Sequence, residues 1–296
     1  MSEQVLSING RTLAYRIFGD PDGSLPLIWF HGTPAGCTPP PSLVAAAKTS
    51  GVRIIAPERP GYGDSARRPG RKIIDMVGDV EALKTHLGVD KCLIAGWSGG
   101  GPHALACGAR LPGVLAVLTI AGVGPADAKD LDFLAGQGED NVVEFHAAMK
   151  GEDALREFCT AQRKDIVSGS VARAVAALSS ILSGVDLEAS KGDLGVYLVE
   201  LLREGLRNGI EGWVDDDLEF VLPWGFELSE IKVPVLLYQG SDDKMVPYAH
   251  GKWLADHLPK EHLRAHLIEG EGHVSLVAKG EALLSELIEA AKAASG

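Results

Sequence analysis

Short apolar runs bounded by glycine or proline recur along this chain with helix-like stretches between them: LIWFHG at 27–32, VRIIAP at 52–57, KCLIAG at 91–96, VLAVLTIAG at 114–122, VPVLLYQG at 233–240 and HLRAHLIEG at 262–270. Runs this short suit strands covered on both faces, and strands that pair in parallel need a crossover of a dozen or more residues. The intervening segments have that length and helical patterning, as in PSLVAAAKTSG (41–51), IIDMVGDVEALKTHLG (73–88), GPHALACGARLP (101–112) and PYAHGKWLADHL (247–258). The pattern predicts an α/β fold, a mostly parallel twisted sheet with helices on both faces.

Two departures frame this core. At the start, EQVLSI and RTLAYRIFG alternate polar and apolar residues around Asn9-Gly10, a dipeptide that tolerates the positive φ angles of a tight turn, and so predict a β-hairpin. From about Pro125 to Trp213 the strand rhythm stops. NVVEFHAAMKGEDALREFCTAQRKDIV (141–167), VARAVAALSSIL (171–182) and GDLGVYLVELLREGL (192–206) carry apolar residues at three and four spacing, interrupted by glycines. The expected organisation is a core of 1–124 and 214–296 with an all-helical insertion at 125–213. A single terminal helix is expected over SLVAKGEALLSELIEAAKAA (275–294).

Composition narrows the function classes. At 296 residues and 46% hydrophobic the chain can bury a full core as a soluble globular protein. The opening MSEQVLSING lacks the basic and apolar regions of a secretory signal, and no apolar run spans a bilayer as a helix. Cys37, Cys92, Cys107 and Cys159 form no CxxC pair, so neither a zinc site nor a disulfide framework is expected. A reducing cytoplasm is the expected location. The net charge of -12 disfavours nucleic acid and anionic lipid as partners, the short ARRPGRK loop being the one basic cluster.

Chemistry concentrates in CLIAGWSGGGP (92–102), where glycines crowd one serine between a predicted strand and a predicted helix. Gly96-Trp97-Ser98-Gly99-Gly100 matches G-x-S-x-G in the context of a nucleophile elbow, a sharp turn that lifts the serine oxygen above the sheet. Side chains flanking it would collide with the crossing strand and helix. The helix start at Gly99 supplies free N–H groups and positive partial charge for an oxygen that becomes negative. A phosphate loop would need G-K-[ST] here, and a dinucleotide fingerprint belongs in the first βαβ turn.

A serine hydroxyl needs a base, and the base an orienting acid. His273, in the glycine-rich turn EGEGHVSL after the last strand, is the candidate base. His262 and His266 read as one strand face, His86, His146, His250 and His257 as surface or packing residues, and His103 as a hydrogen-bonded core histidine. For the acid, VLLYQGSDDKMVP offers Asp242 and Asp243, which point apart as neighbours; Asp127 is a third candidate.

The order Ser98, GSDDKMVP, GEGH, together with HGTP and APERPGYGDS, resembles the α/β-hydrolase superfamily over nearly the whole chain. The resemblance implies an α/β-hydrolase fold with the insertion as a cap, and selects Asp243 as the acid. It implies oxyanion donors from the Thr33 and Gly99 amides and a structural His31 that fixes the oxyanion loop. PERPGYGDS is a loop near the mouth with no assigned chemistry. Epoxide hydrolases and haloalkane dehalogenases of this superfamily carry an aspartate where this chain has Ser98, so a carbonyl substrate is expected. Phe133, Phe145, Met149 and Trp213 are candidates for an acyl pocket, with core packing as the plainer role; Trp97 is a further candidate, with packing below the elbow as its alternative.

The implied activity is hydrolysis of carboxylic esters of small to medium, mostly apolar molecules through an acyl-enzyme on Ser98, with no cofactor and no metal. Lactonase, amino-terminal peptidase, C–C hydrolase and perhydrolase chemistry use the same triad. For the peptidase, a cap carboxylate among Glu139, Asp140, Glu144 and Glu200 would hold the ammonium. A receptor-like binding protein on the same fold is the alternative of another class.

Overall fold

A computed structural model describes residues 3–295. Its strands are β1 (Gln4–Ile8), β2 (Arg11–Gly19), β3 (Leu25–Phe30), β4 (Val52–Pro57), β5 (Cys92–Trp97), β6 (Val114–Ile120), β7 (Val235–Gly240) and β8 (Leu263–Ile268). They form one sheet in the order β1-β2-β4-β3-β5-β6-β7-β8. The β1–β2 and β2–β4 pairs are antiparallel and every later pair is parallel. The hairpin turns where expected, with Asn9 and Gly10 at φ 49° and 80°.

Helices α1 (Pro41–Thr49), α2 (Met76–His86) and α3 (Gly100–Arg110) follow β3, β4 and β5. Six more, α4 (Glu139–Lys150), α5 (Glu152–Ser168), α6 (Val171–Ala177), α7 (Gly184–Ala189), α8 (Asp193–Gly205) and α9 (Glu211–Phe220), lie between β6 and β7. The chain closes with α10 (Tyr248–His257), α11 (His273–Val277) and α12 (Gly280–Ser295). Leu43 and Ala47 of α1 join Leu283 and Leu287 of α12 in the core on one face of the sheet. Val80 of α2, Leu105 of α3 and Leu254 of α10 join the core on the other. This is the expected fold, with helices on both faces.

The expected terminal helix is broken in two, and the helical pattern of 141–167 is interrupted at a glycine. The 141–167 stretch divides at Gly151, where φ is 120°. The terminal stretch divides into α11 and α12, and Gly280, which opens α12, sits against α1, where a Cβ would lie 2.4 Å from the Leu43 backbone nitrogen. In the insertion, Ala148, Leu155, Cys159, Leu206 and Trp213 gather into a third, smaller core. Helix α9 runs through position 213, where the insertion was expected to end. All four cysteines are free and buried, and no helix among the described residues is long and apolar enough to cross a membrane.

Strand β3 has β4 on one side and β5 on the other. The loops leaving the carboxyl ends of β3 and β5 therefore diverge, and a crevice opens above the sheet between them.

Candidate active site

Ser98 stands at the carboxyl end of β5, half-buried, with φ at 56°, a left-handed conformation uncommon outside glycine. Its backbone is fixed on both sides: Ser98 N donates to Ile120 O at 2.9 Å, and Ser98 O accepts from Gly101 N at 2.9 Å. The glycines are explained by close approach. A Cβ on Gly96 would lie 2.1 Å from Gly100 O, and one on Gly100 would lie 2.3 Å from Phe30 O. Any larger residue would push α3 off the sheet and move the serine with it.

His273 opens α11, and its Nδ1 lies 2.8 Å from Asp243 Oδ2. Asp243 is held by the loop that carries it: Met245 N and Val246 N donate to Oδ1 at 2.9 and 2.8 Å, and Gln239 Nε2 donates to Oδ2 at 3.2 Å. Both side chains are buried. Burial alone would push the imidazole pKa down; the charge and hydrogen bond of Asp243, with Asp186 beyond, reverse that and hold it above its ordinary value. Asp242 is exposed and occupied by the Ser241 hydroxyl, and Asp127 is exposed.

Ser98 and His273 line the same cavity, with no hydrogen bond between them. The Trp97 ring lies under the imidazole, centroids 5.2 Å apart. Thr33 and Gly99 border the same space, and a Cβ on Gly99 would meet Thr33 Oγ1 at 2.3 Å. The loop after β3 and the start of α3 therefore meet beside the serine.

Two supports escaped the sequence reading. Asp186, on α7 of the insertion and fully buried, accepts His273 N (3.0 Å) on Oδ2, and Val274 N (2.8 Å) and Ser275 N (3.0 Å) on Oδ1. It caps the helix that begins with the histidine. The second support is the PERPGYGDS loop. Arg59, fully buried, donates from Nε and Nη2 to the two oxygens of Asp216 on α9, and from Nη1 to the His31 carbonyl. Thr33 Oγ1 and Tyr62 Oη donate to the same Asp216 Oδ2. Burial would raise the Asp216 pKa, but Arg59 and Arg71 outweigh it and hold the carboxyl well below the usual carboxylate range. His31 is buried, its Nε2 accepting from Arg59 N at 3.3 Å. The signal for the second was present as Asp215-Asp216-Asp217 inside an otherwise core-like helix, all three buried.

The cavity occupies about 1100 Å³ with its open mouth. Trp97, Phe145 and Trp213 line it, joined by Phe158, Leu198 and Leu201. Met149 does not: it stands on the last turn of α4, beyond the cavity, 50% exposed. Phe133 sits behind the wall, edge-on to Phe145 at 4.8 Å and against His250 at 5.0 Å. Of the four acids of the insertion named above, Asp140 and Glu144 line the cavity, whereas Glu139 and Glu200 are exposed outside it. His103 is buried in the core but neither ring nitrogen makes a hydrogen bond; Glu219 Oε1 lies 3.2 Å from Nε2, out of line.

Residues 26–279 match the family model described as alpha/beta hydrolase fold. The chain is 26% identical over 253 residues to a non-heme chloroperoxidase of Streptomyces lividans, covering 83% of each. It is 27% identical over 227 residues to a pimeloyl-[acyl-carrier protein] methyl ester esterase of Aromatoleum aromaticum, covering 72% of this chain and 78% of that one. Among solved structures, a thermophilic esterase from Thermogutta terrifontis superposes over 100% of both chains with a TM-score of 0.69 at 18% identity.

Proposed function

The chain belongs to the alpha/beta hydrolase fold family, and on that premise we propose that it hydrolyses carboxylic esters of small to medium, mostly apolar molecules through an acyl-enzyme on Ser98. The observation that carries this reading is a serine at positive φ sharing a cavity with an imidazole whose Nδ1 is 2.8 Å from a buried carboxylate.

With Nδ1 committed to Asp243, the imidazole has Nε2 free for the serine. Ser98 Oγ attacks the ester carbonyl carbon while Nε2 takes the hydroxyl proton. The carbonyl oxygen becomes an alkoxide facing the Thr33 and Gly99 N–H groups and the positive end of α3. Collapse breaks the bond to the leaving alcohol, which receives the proton from Nε2. Water then attacks the acyl-enzyme by the same proton path and releases the carboxylic acid. The free Ser98 hydroxyl is compatible with this, since such contacts tighten when substrate fills the site. The walls formed by Phe145, Phe158, Leu198 and Leu201 favour an apolar substrate body.

The test is turnover of p-nitrophenyl acetate and butyrate. Ser98→Ala is expected to lower kcat by at least about 1000-fold and to abolish labelling by a fluorophosphonate. Full turnover in that variant, or stoichiometric labelling elsewhere, overturns the assignment.

A further inference from the structure

The cavity wall opposite the sheet is electrostatically one-sided. Among the described residues lining it, Asp140, Glu144 and Asp217 are acidic, and none is a lysine or arginine. Helix α9 makes the imbalance specific. Its three consecutive acids point in three directions, as 100° steps require. Asp215 meets Arg67, Asp216 meets Arg59 and Arg71, and Glu219 one turn on from Asp215 meets Arg71. Asp217 alone has no cation. It is 1% exposed, its Oδ2 is buried without a donor, and its complement is another acid, Glu144 of α4.

Two facing carboxyls in an apolar wall are costly unless a proton or a cation lies between them. Burial, and for Asp217 the charge of Glu144 as well, push both groups above their ordinary pKa. Trp213 Nε1 donates to Glu144 Oε1 at 2.5 Å and holds it in place. The rings of Trp213 and Phe158, centroids 6.1 Å apart, line the same space and present aromatic surface to a positive charge. Leucines would close this wall at no electrostatic cost; a preorganised acid pair facing a cavity is what a cationic donor requires.

We propose that Glu144 and Asp217 form a recognition site for a primary or secondary ammonium group carried by the substrate. The inference rests on the ester-hydrolase reading for the position of the scissile bond. It names the polar end of a substrate whose remainder is apolar. When the ammonium enters, its N–H donors satisfy the buried Asp217 Oδ2 that lacks one.

The experiment compares p-nitrophenyl 6-aminohexanoate with its neutral isostere p-nitrophenyl heptanoate, and the pair two methylenes longer. The ammonium ester is expected to have a kcat/KM at least about ten-fold higher, the scale of a charged hydrogen bond. In Asp217→Asn and in Glu144→Gln the ratio should fall to about one or below, a within-variant ratio that general loss of folded enzyme does not move. A wild-type ratio of one or less, with the neutral ester still hydrolysed through Ser98, overturns this inference and leaves the ester reading standing. If neither ester is hydrolysed the ester reading fails, and calorimetry decides the site alone. Hexylammonium binding more tightly than hexanol, with the preference lost in Asp217→Asn, supports it; equal binding overturns it.

Discussion

Replacing Asp186 by alanine tests whether the insertion positions the histidine. Its carboxylate accepts three successive backbone N–H groups, from His273, Val274 and Ser275, at 2.8–3.0 Å, and the Ser183 hydroxyl at 2.9 Å. Hydrogen bonds to a charged acceptor contribute about 1.5–3 kcal/mol each, and water entering the vacated space recovers part of that. A net loss of about 3–5 kcal/mol follows, a large share of a typical domain's stability. Urea unfolding of both proteins at pH 7 reads it directly. The catalytic effect has a separate sign. Asp186 is one of the groups that raise the His273 pKa, and the base must be neutral to act. Its removal should move the acid limb of kcat/KM for p-nitrophenyl butyrate to lower pH. A looser α11 should also cost about 100-fold in kcat, the scale of a 1 Å misplacement. A stability change under about 0.5 kcal/mol together with an unmoved acid limb would refute the reasoning.

Asp216→Asn leaves Arg59 and Arg71 facing a neutral amide in a fully buried site, and loses the anchor shared by Thr33 and Tyr62. We expect about 3–5 kcal/mol of destabilisation by thermal unfolding and, on the proposed oxyanion role of Thr33, a fall in kcat with little change in KM, since the Thr33 loop is what it steadies. Gly100→Ala places a Cβ 2.3 Å from Phe30 O and 2.7 Å from His31 O, both backbone atoms that cannot yield. A stability loss of about 1–3 kcal/mol is expected, with slower fluorophosphonate labelling of Ser98 in the folded fraction; unchanged labelling would show that the elbow tolerates the shift.

Local patterns in the chain were enough to determine the alternation of strands and helices, the hairpin at Asn9-Gly10 and the elbow around Ser98. Each depends on neighbours within a few residues: periodicity, a turn dipeptide, glycines where no Cβ fits. The interruption at Gly151 is likewise local, whereas the start of α12 at Gly280 lies against a surface from elsewhere, α1, that sequence spacing does not display. Met149 failed as a pocket residue for a similar reason. Its spacing from Phe145 sets the helix face, whereas tertiary packing decides how far along that helix the cavity extends.

Tertiary structure alone decided which charges meet. Asp186 and His273 are 87 residues apart, Arg59 and Asp216 are 157 apart, and nothing in either local sequence names its partner. It also separated three adjacent aspartates, sending two to arginines and the third to the cavity wall. A helix turns 100° per residue, so identical neighbours acquire different partners only when the surrounding surfaces are in place.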